Sequence, residues 1–394
     1  MKCLWALASV LAIPALVKGD VYFKDTFDDD SWQSRWLQSK HDPGYGNFTV
    51  SPGTFFGDEK ASRALQTTRD ARYYAISAPF ERELDNKGKT LVVQYAVKFE
   101  RGANCAGGYL KILPPGIDPN DFHGETPYNI MFGPDICGPN RKVHLILNYK
   151  GKNHMVKTPS YPALDQLSHL YTLILHPNQT YEVLIDNEEA GAGSLIDDFD
   201  FLPPQKIKDP NVEKPEDWDE RETIPDPDDF KPGDWDDEPE EIPDPDDPPP
   251  SWWDEVTDGE WYRSLMANPL WKGEWEPRQI PNPKYNGTWI HPEIDNPDYY
   301  FDTEIYAYKS AYVAFELWQV TAGSLFDDIL ITDSVEEART FAEETFVKKR
   351  LPEWEAKERM EEAERERIRQ EREQEKKGAE GGKNGDKKTS HEEL

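Results

Sequence analysis

The chain has 394 residues, enough for one large domain with an extension or for two domains. Its formal net charge of -32 argues against nucleic acid and anionic membrane surfaces as partners and favours cations and basic protein patches. It carries 33 Pro and 13 Trp, and their clustering divides the chain into parts.

Residues 1–19 read as a secretory signal. Lys2 precedes an apolar run from Leu4 to Val17, and Val17 and Gly19 occupy the small-residue positions before a cut. The run is too short for a membrane span. No later stretch approaches the roughly 18 apolar residues of a spanning helix, so a soluble mature protein is expected. The secretory route makes Asn47, Asn178 and Asn286, each two residues before a Thr, candidates for N-glycosylation.

Residues 20–206 read as the first part of an all-β domain. VYFKDTF, TLVVQYAVKFE, YLKILP, KVHLILNYKG, HLYTLILHP and TYEVLIDN are short runs rich in Val, Ile, Leu and aromatics, bounded by turn residues. This suggests an antiparallel sandwich. The pattern resumes over 301–333 with YVAFELWQV and SLFDDILITD, so residues 207–300 are expected to be inserted between strands of one sandwich. Cys105 and Cys137 are the cysteines left once Cys3 is removed with the leader, and an oxidising lumen would pair them. The closed loop of about 33 residues would contribute about 3.5–4 kcal/mol by loop entropy.

Residues 207–300 hold two tandem repeats. IKDPNVEKPEDWDE, IPDPDDFKPGDWDD and IPDPDDPPPSWWDE start at Ile207, Ile224 and Ile242; GEWYRSLMANPLWKG, GEWEPRQIPNPKYNG and GTWIHPEIDNPDYY start at Gly259, Gly273 and Gly287. The prolines exclude a persistent helix or central strand. One Trp per unit cannot build a core, but it can stack on a counterpart across an antiparallel partner. Three units followed by three different ones predict a long hairpin that runs out and returns. The hairpin is anionic, with 28 acids against 8 bases. The plainer reading is a Pro-rich acidic linker, but a linker needs no periodic tryptophans.

KPEDWDE, IPDPDD and GEWEPRQIPNP closely resemble the P-domain of the calreticulin and calnexin family. The expected lack of a membrane helix favours the calreticulin branch. Over residues 21–333 the resemblance implies a legume-lectin-like jelly-roll β-sandwich with the P-domain as an inserted Pro-rich β-hairpin arm. It also implies a calcium-binding lectin chaperone of the endoplasmic reticulum lumen, acting on unfolded glycoproteins.

Sugar recognition needs aromatic faces for pyranose C–H surfaces and fixed charged groups for hydroxyls. Tyr109 and Lys111 stand at i and i+2, as do Glu316 and Trp318, and each pair falls on one face of a strand. Tyr128, Met131 and Asp135 lie on the segment that a Cys105–Cys137 bridge would pin beside Tyr109. On the residues alone, each aromatic reads as core before ligand, and the resemblance reverses that order. The resemblance assigns Tyr109, Lys111, Tyr128, Asp135 and Trp318 to a site for monoglucosylated oligomannose glycans. Glu316, in FELWQ, stands where the family carries Asp in LDLWQ. For calcium, the resemblance implies the carboxylate of Asp327 with backbone carbonyls of Thr26, Ala61 and Arg63. At the hairpin tip it implies docking of a protein disulfide isomerase of the ERp57 type on Asp258, Glu260 and Trp261.

Residues 334–394 form a charged tail. Positions 335–377 predict one solvated helix with Glu–Arg and Glu–Lys pairs at i, i+4, interrupted at Pro352. From Ser334 onward 18 acids face 15 bases, a poor composition for bulk calcium storage. The final His-Glu-Glu-Leu resembles an endoplasmic reticulum retrieval address. Two other classes compete with the lectin: a luminal calcium buffer relying on the acidic arm, and a jelly-roll glycosidase, for which no strand carries closely spaced paired carboxylates.

Overall fold

The computed structural model describes residues 19–385. The leader apart from Gly19, and the His391–Leu394 address, lie outside the described residues. The chain divides into two units: one runs to Pro203 and resumes at Tyr300, the other is Pro204–Tyr299.

The first unit is all-β at its centre, two antiparallel sheets face to face. One sheet runs Glu188–Ser194, Thr180–Ile185, Ser168–Leu175, Leu91–Phe99, Ser324–Thr332, Ala64–Thr67, Phe48–Ser51, with Val21–Asp25 also on Ser324–Thr332. The other runs Lys152–Met155, Asn140–Tyr149, Ile130–Cys137, Cys105–Gly107, Lys309–Gln319, Arg72–Asp85, Leu37–Gln38, with Leu110–Leu113 between Ile130–Cys137 and Lys309–Gln319. Alternate residues of each strand supply the core: Tyr74 and Ile76, Leu110 and Ile112, Ile130 and Phe132, Phe315 and Leu317, packed against Val93, Tyr95, Phe326 and Ile331. The Tyr95 hydroxyl donates to the Gly108 carbonyl at 2.6 Å and reaches the Phe132 carbonyl at 3.1 Å. This is why Gly133 follows: at φ +128° it lies against that hydroxyl, where a Cβ has no room. A disulfide joins Cys105 to Cys137, which sit opposite each other in register on adjacent strands.

Leu91–Phe99 departs from alternation because every one of its residues is buried. Its outward residues meet the C-terminal helices. Val92 packs with Ile174, Leu330, Ala338 and Phe341, and Ala96 with Leu170, Ala342 and Phe346. Here the prediction of one solvated helix is corrected. The first helix spans Val335–Glu344 and starts on Ser334, whose hydroxyl accepts from the Glu337 amide at 3.1 Å. The chain breaks helical geometry at Thr345, and a second helix runs Phe346–Gly385 with Pro352 inside it. Pro352 therefore does not end the helix. A proline there forgoes one backbone bond and can kink the turn, a cost of about 3 kcal/mol. The next residue offsets it: Glu353 accepts from the Ser168 amide and hydroxyl at 3.0 and 2.9 Å and from Lys98 Nζ at 3.0 Å. Beyond this anchor the helix is largely exposed and carries i, i+4 pairs such as Lys357–Glu361 and Arg365–Glu361. Among the described residues no helix is long and apolar enough to cross a membrane.

The second unit is a nested hairpin of three short antiparallel rungs. Lys206–Lys208 pairs with Glu293–Asp295, Thr223–Pro225 with Gln279–Pro281, and Glu241–Pro243 with Leu265–Ala267. One Trp of each outgoing unit donates its indole N–H to the carbonyl of the glycine that opens a returning unit: Trp218 to Gly287 at 2.8 Å, Trp235 to Gly273 at 2.8 Å and Trp253 to Gly259 at 3.0 Å. Those glycines sit at φ +79° to +83°, a region costly for side-chain-bearing residues, which explains the repeated Gly-x-Trp. The rings also meet across the hairpin, Trp218 with Trp289 and Trp253 with Trp261, each at 5.0 Å.

Candidate functional site

The outer face of the second sheet is the first candidate. Val313, Phe315 and Leu317 point into the core, so Glu316 and Trp318 point out. Lys111 lies opposite Ala314 on one side and Met131 on the other, which sets it one step diagonally from Glu316. Its ammonium meets Glu316 Oε2 at 2.8 Å, with the two side chains only 4% and 14% exposed. The same ammonium lies 4.9 Å from the centroid of the Tyr128 ring. Glu316, one methylene longer than the family's Asp, thus reaches the lysine directly.

Around this pair the surface is aromatic. Trp318 sits opposite Tyr73, their rings 4.6 Å apart. Tyr109 precedes the strand Leu110–Leu113 rather than lying within it, after a break at Gly108. Its ring packs edge-on to His144 at 5.7 Å. His144 Nε2 lies 3.1 Å from Asp135 Oδ2, while its Nδ1 is buried with no partner. Burial, helped by Glu316 and Asp135, holds the Tyr109 hydroxyl well above its usual range; burial and Glu316 also raise Tyr128. Both therefore stay neutral hydroxyls able to donate. Met131 is buried beside Lys111 and serves as floor. The arrangement offers flat aromatic surfaces, neutral donors and one tightly held ion pair, a set suited to polyhydroxylated ligands.

A short 3-10 turn Pro119–Asp121 and two loop residues bring together His41, Asp121 and His123, whose ligand atoms all lie within 4.8 Å of one another. His41 Nδ1 is 2.7 Å from Asp121 Oδ1. Sequence reasoning missed this trio because His41 is 80 residues from Asp121.

The second candidate lies where the first sheet meets the C-terminal helices. Asp327 and Asp328 are consecutive, so a regular strand would point them to opposite faces. Asp328 instead has φ +50°, and the register with Leu91–Phe99 shifts between Asp327 and Leu330. This bulge lets both carboxylates reach one ammonium: Lys349 Nζ is 2.6 Å from Asp327 Oδ2 and 2.7 Å from Asp328 Oδ1. Asp327 Oδ1, Asp328 Oδ2 and Asp28 Oδ1 are buried without partners. A cavity of about 260 Å³ is lined by Thr26, Asp28, Ala61, Ser62, Asp328 and Lys349, among others. A narrower cleft lined by Ser62, Asp327, Asp328 and Lys349 adjoins it. Arg63 lines neither; its guanidinium reaches Asp30 at 2.8 Å. Burial, and for Asp327 its neighbour Asp328, pushes both carboxyls above the usual range against the pull of Lys349. Lys349 stays charged, because the two carboxylates outweigh the burial that opposes it. The site holds more negative than positive charge, and its spare donors are all oxygens, which suits a hard divalent cation. Sequence reasoning missed Asp28, Asp328 and Lys349, since the bulge and the helix seat that unite them leave no periodic signal.

At the hairpin tip, a short helical turn Glu255–Asp258 is capped by Asp254, which accepts from the Val256 amide at 3.0 Å. Asp258 and Glu260 are exposed. Trp261 is half-buried, packed edge-on against Trp253, with its indole N–H donating to the Asp247 carbonyl at 3.1 Å. The large apolar side chains exposed there are Trp252, Val256 and Tyr262.

The calreticulin family profile matches residues 23–258 and 255–331. A Caenorhabditis elegans calreticulin is 58% identical over 351 residues, covering 89% of this chain and 89% of the relative. A Bos taurus calreticulin is 56% identical over 348 residues, covering 88% of this chain and 83% of the relative. Among solved structures, the T. cruzi calreticulin globular domain superposes with a TM-score of 0.62 at 29% identity, covering 87% of this chain and 100% of that one. The profile match over most of the chain and the identity to these relatives along most of its length agree: the chain belongs to the calreticulin family.

Proposed function

We propose that this chain is a calcium-binding lectin chaperone of the endoplasmic reticulum lumen. It would bind monoglucosylated N-glycans on unfolded glycoproteins through the outer face of the second sheet and recruit a protein disulfide isomerase through the arm tip. The observation that carries this reading is the Lys111–Glu316 pair, 2.8 Å apart, with the Tyr128 ring 4.9 Å from the ammonium and the partly exposed Tyr109 and Trp318 rings on the same outer side of the sheet. A buried, mutually neutralising pair beside aromatic planes is poor furniture for catalysis. It gives a sugar a fixed donor and acceptor, and the planes take the C–H face. Calcium would be held by Asp327 and Asp328 with oxygens from the Thr26 and Ala61 segments; it would cross-link these segments and supply no chemistry beyond charge. The exposed Asp258 and Glu260 suit a basic partner surface and fast, weak docking. Trp261 supports the tip from within, so its replacement would disturb the tip's shape as well as any contact. A glycan array with the purified chain tests the reading. The expected result is signal confined to monoglucosylated oligomannose glycans. A folded chain that ignores them would overturn it.

A further inference from the structure

We propose that Lys349 is a built-in counter-ion that competes with calcium for the Asp327 and Asp328 carboxylates, so that loading the site means lifting Lys349 off it. The inference rests on the calcium reading above and adds a residue of the C-terminal helix to it. Three observations carry it. The ammonium already sits 2.6 and 2.7 Å from the two carboxylates, at the distances of strong charge-assisted hydrogen bonds. The opposite oxygens, Asp327 Oδ1 and Asp328 Oδ2, are buried and unpartnered, and Asp328 is only 1% exposed as a residue, so one lysine leaves the donor set half used. The lysine also comes from a different element. It lies on the first turn of the helix Phe346–Gly385, whereas the carboxylates lie on the strand Ser324–Thr332.

A divalent ion placed among these oxygens would stand beside the ammonium, and two cations at such range repel strongly at low local dielectric. The lysine can yield, because its side chain is 20% exposed and the 260 Å³ cavity gives its head somewhere to go. The helix has a second clamp, Glu353 on Lys98 and Ser168, so it stays docked when Lys349 leaves. The site therefore trades an internal cation for an external one. Its affinity for calcium is lowered by the strength of the lysine contact.

The test is calorimetric titration of the full chain with calcium chloride, reading the tightest class of site, for wild type, Lys349→Met, Lys349→Gln and Asp327→Asn. Both lysine variants should bind that ion at least tenfold more tightly than wild type, and Asp327→Asn should lose that class. Damage to folding would weaken binding, so a gain cannot come from misfolding. Unchanged or weaker affinity in both lysine variants, with Asp327→Asn still abolishing the site, would overturn the competition and leave the calcium site standing. Unchanged tight binding in Asp327→Asn would remove the site itself and the inference with it.

Discussion

Lys111 shows how much of the candidate site is decided by single side chains. An ammonium 4% exposed is tolerable only because Glu316 answers it. Lys111→Ala should therefore do two things, abolish glycan binding and destabilise the fold by about 3 kcal/mol through the stranded Glu316 carboxylate. The double variant Lys111→Met, Glu316→Leu should recover most of that stability, since an apolar pair replaces an ion pair of similar volume, and still bind no glycan. Urea unfolding of the single and double variants checks this. A single variant as stable as wild type would mean that the pair is not a desolvated unit. The i, i+2 spacing of Glu316 and Trp318 was legible in the sequence because a strand dictates it. The Tyr109–Lys111 spacing was read the same way, yet Tyr109 lies outside the strand, past a break at Gly108. The contact of His144 with Asp135 depends on strand register between residues 9 apart, which no local pattern encodes.

Among the elements, strands were the most legible, because alternating Val, Ile, Leu and aromatics bounded by turn residues have few other folds open to them. The C-terminal helices were least so. Their dense Glu, Arg and Lys content reads as a solvated face, and that reading holds only beyond Glu353. Before it, Ala338, Phe341 and Ala342 stand at i, i+3 and i+4 and bury a stripe on the first sheet. Phe341→Ala should cost about 3–4 kcal/mol, the loss for a fully buried aromatic. A chain whose denaturation midpoint is unchanged by this substitution would show that the helix contributes nothing to the sandwich. Pro352 misled the sequence reading because its penalty is local, whereas the Glu353 anchor that offsets it joins residues 185 apart.

At the scale of the whole chain, the two units separate the proposed activities. Every residue assigned to sugar or calcium belongs to the unit that runs to Pro203 and resumes at Tyr300, and every residue assigned to the isomerase belongs to Pro204–Tyr299. The repeats announced the hairpin because each Gly-x-Trp unit needs a partner unit opposite it. The sandwich could not announce which of its faces stays open, since that depends on where the C-terminal helices seat. The measurement that bears most directly on the account is calorimetric titration with a monoglucosylated oligomannose tetrasaccharide of three proteins: the full chain, the chain with residues 204–299 replaced by a short Gly-Ser bridge, and the Lys111→Met, Glu316→Leu variant. The account predicts saturable binding with one site per chain in the first two, at affinities within a few-fold of each other, and none in the third. Binding retained in the third, or lost in the second, would contradict it.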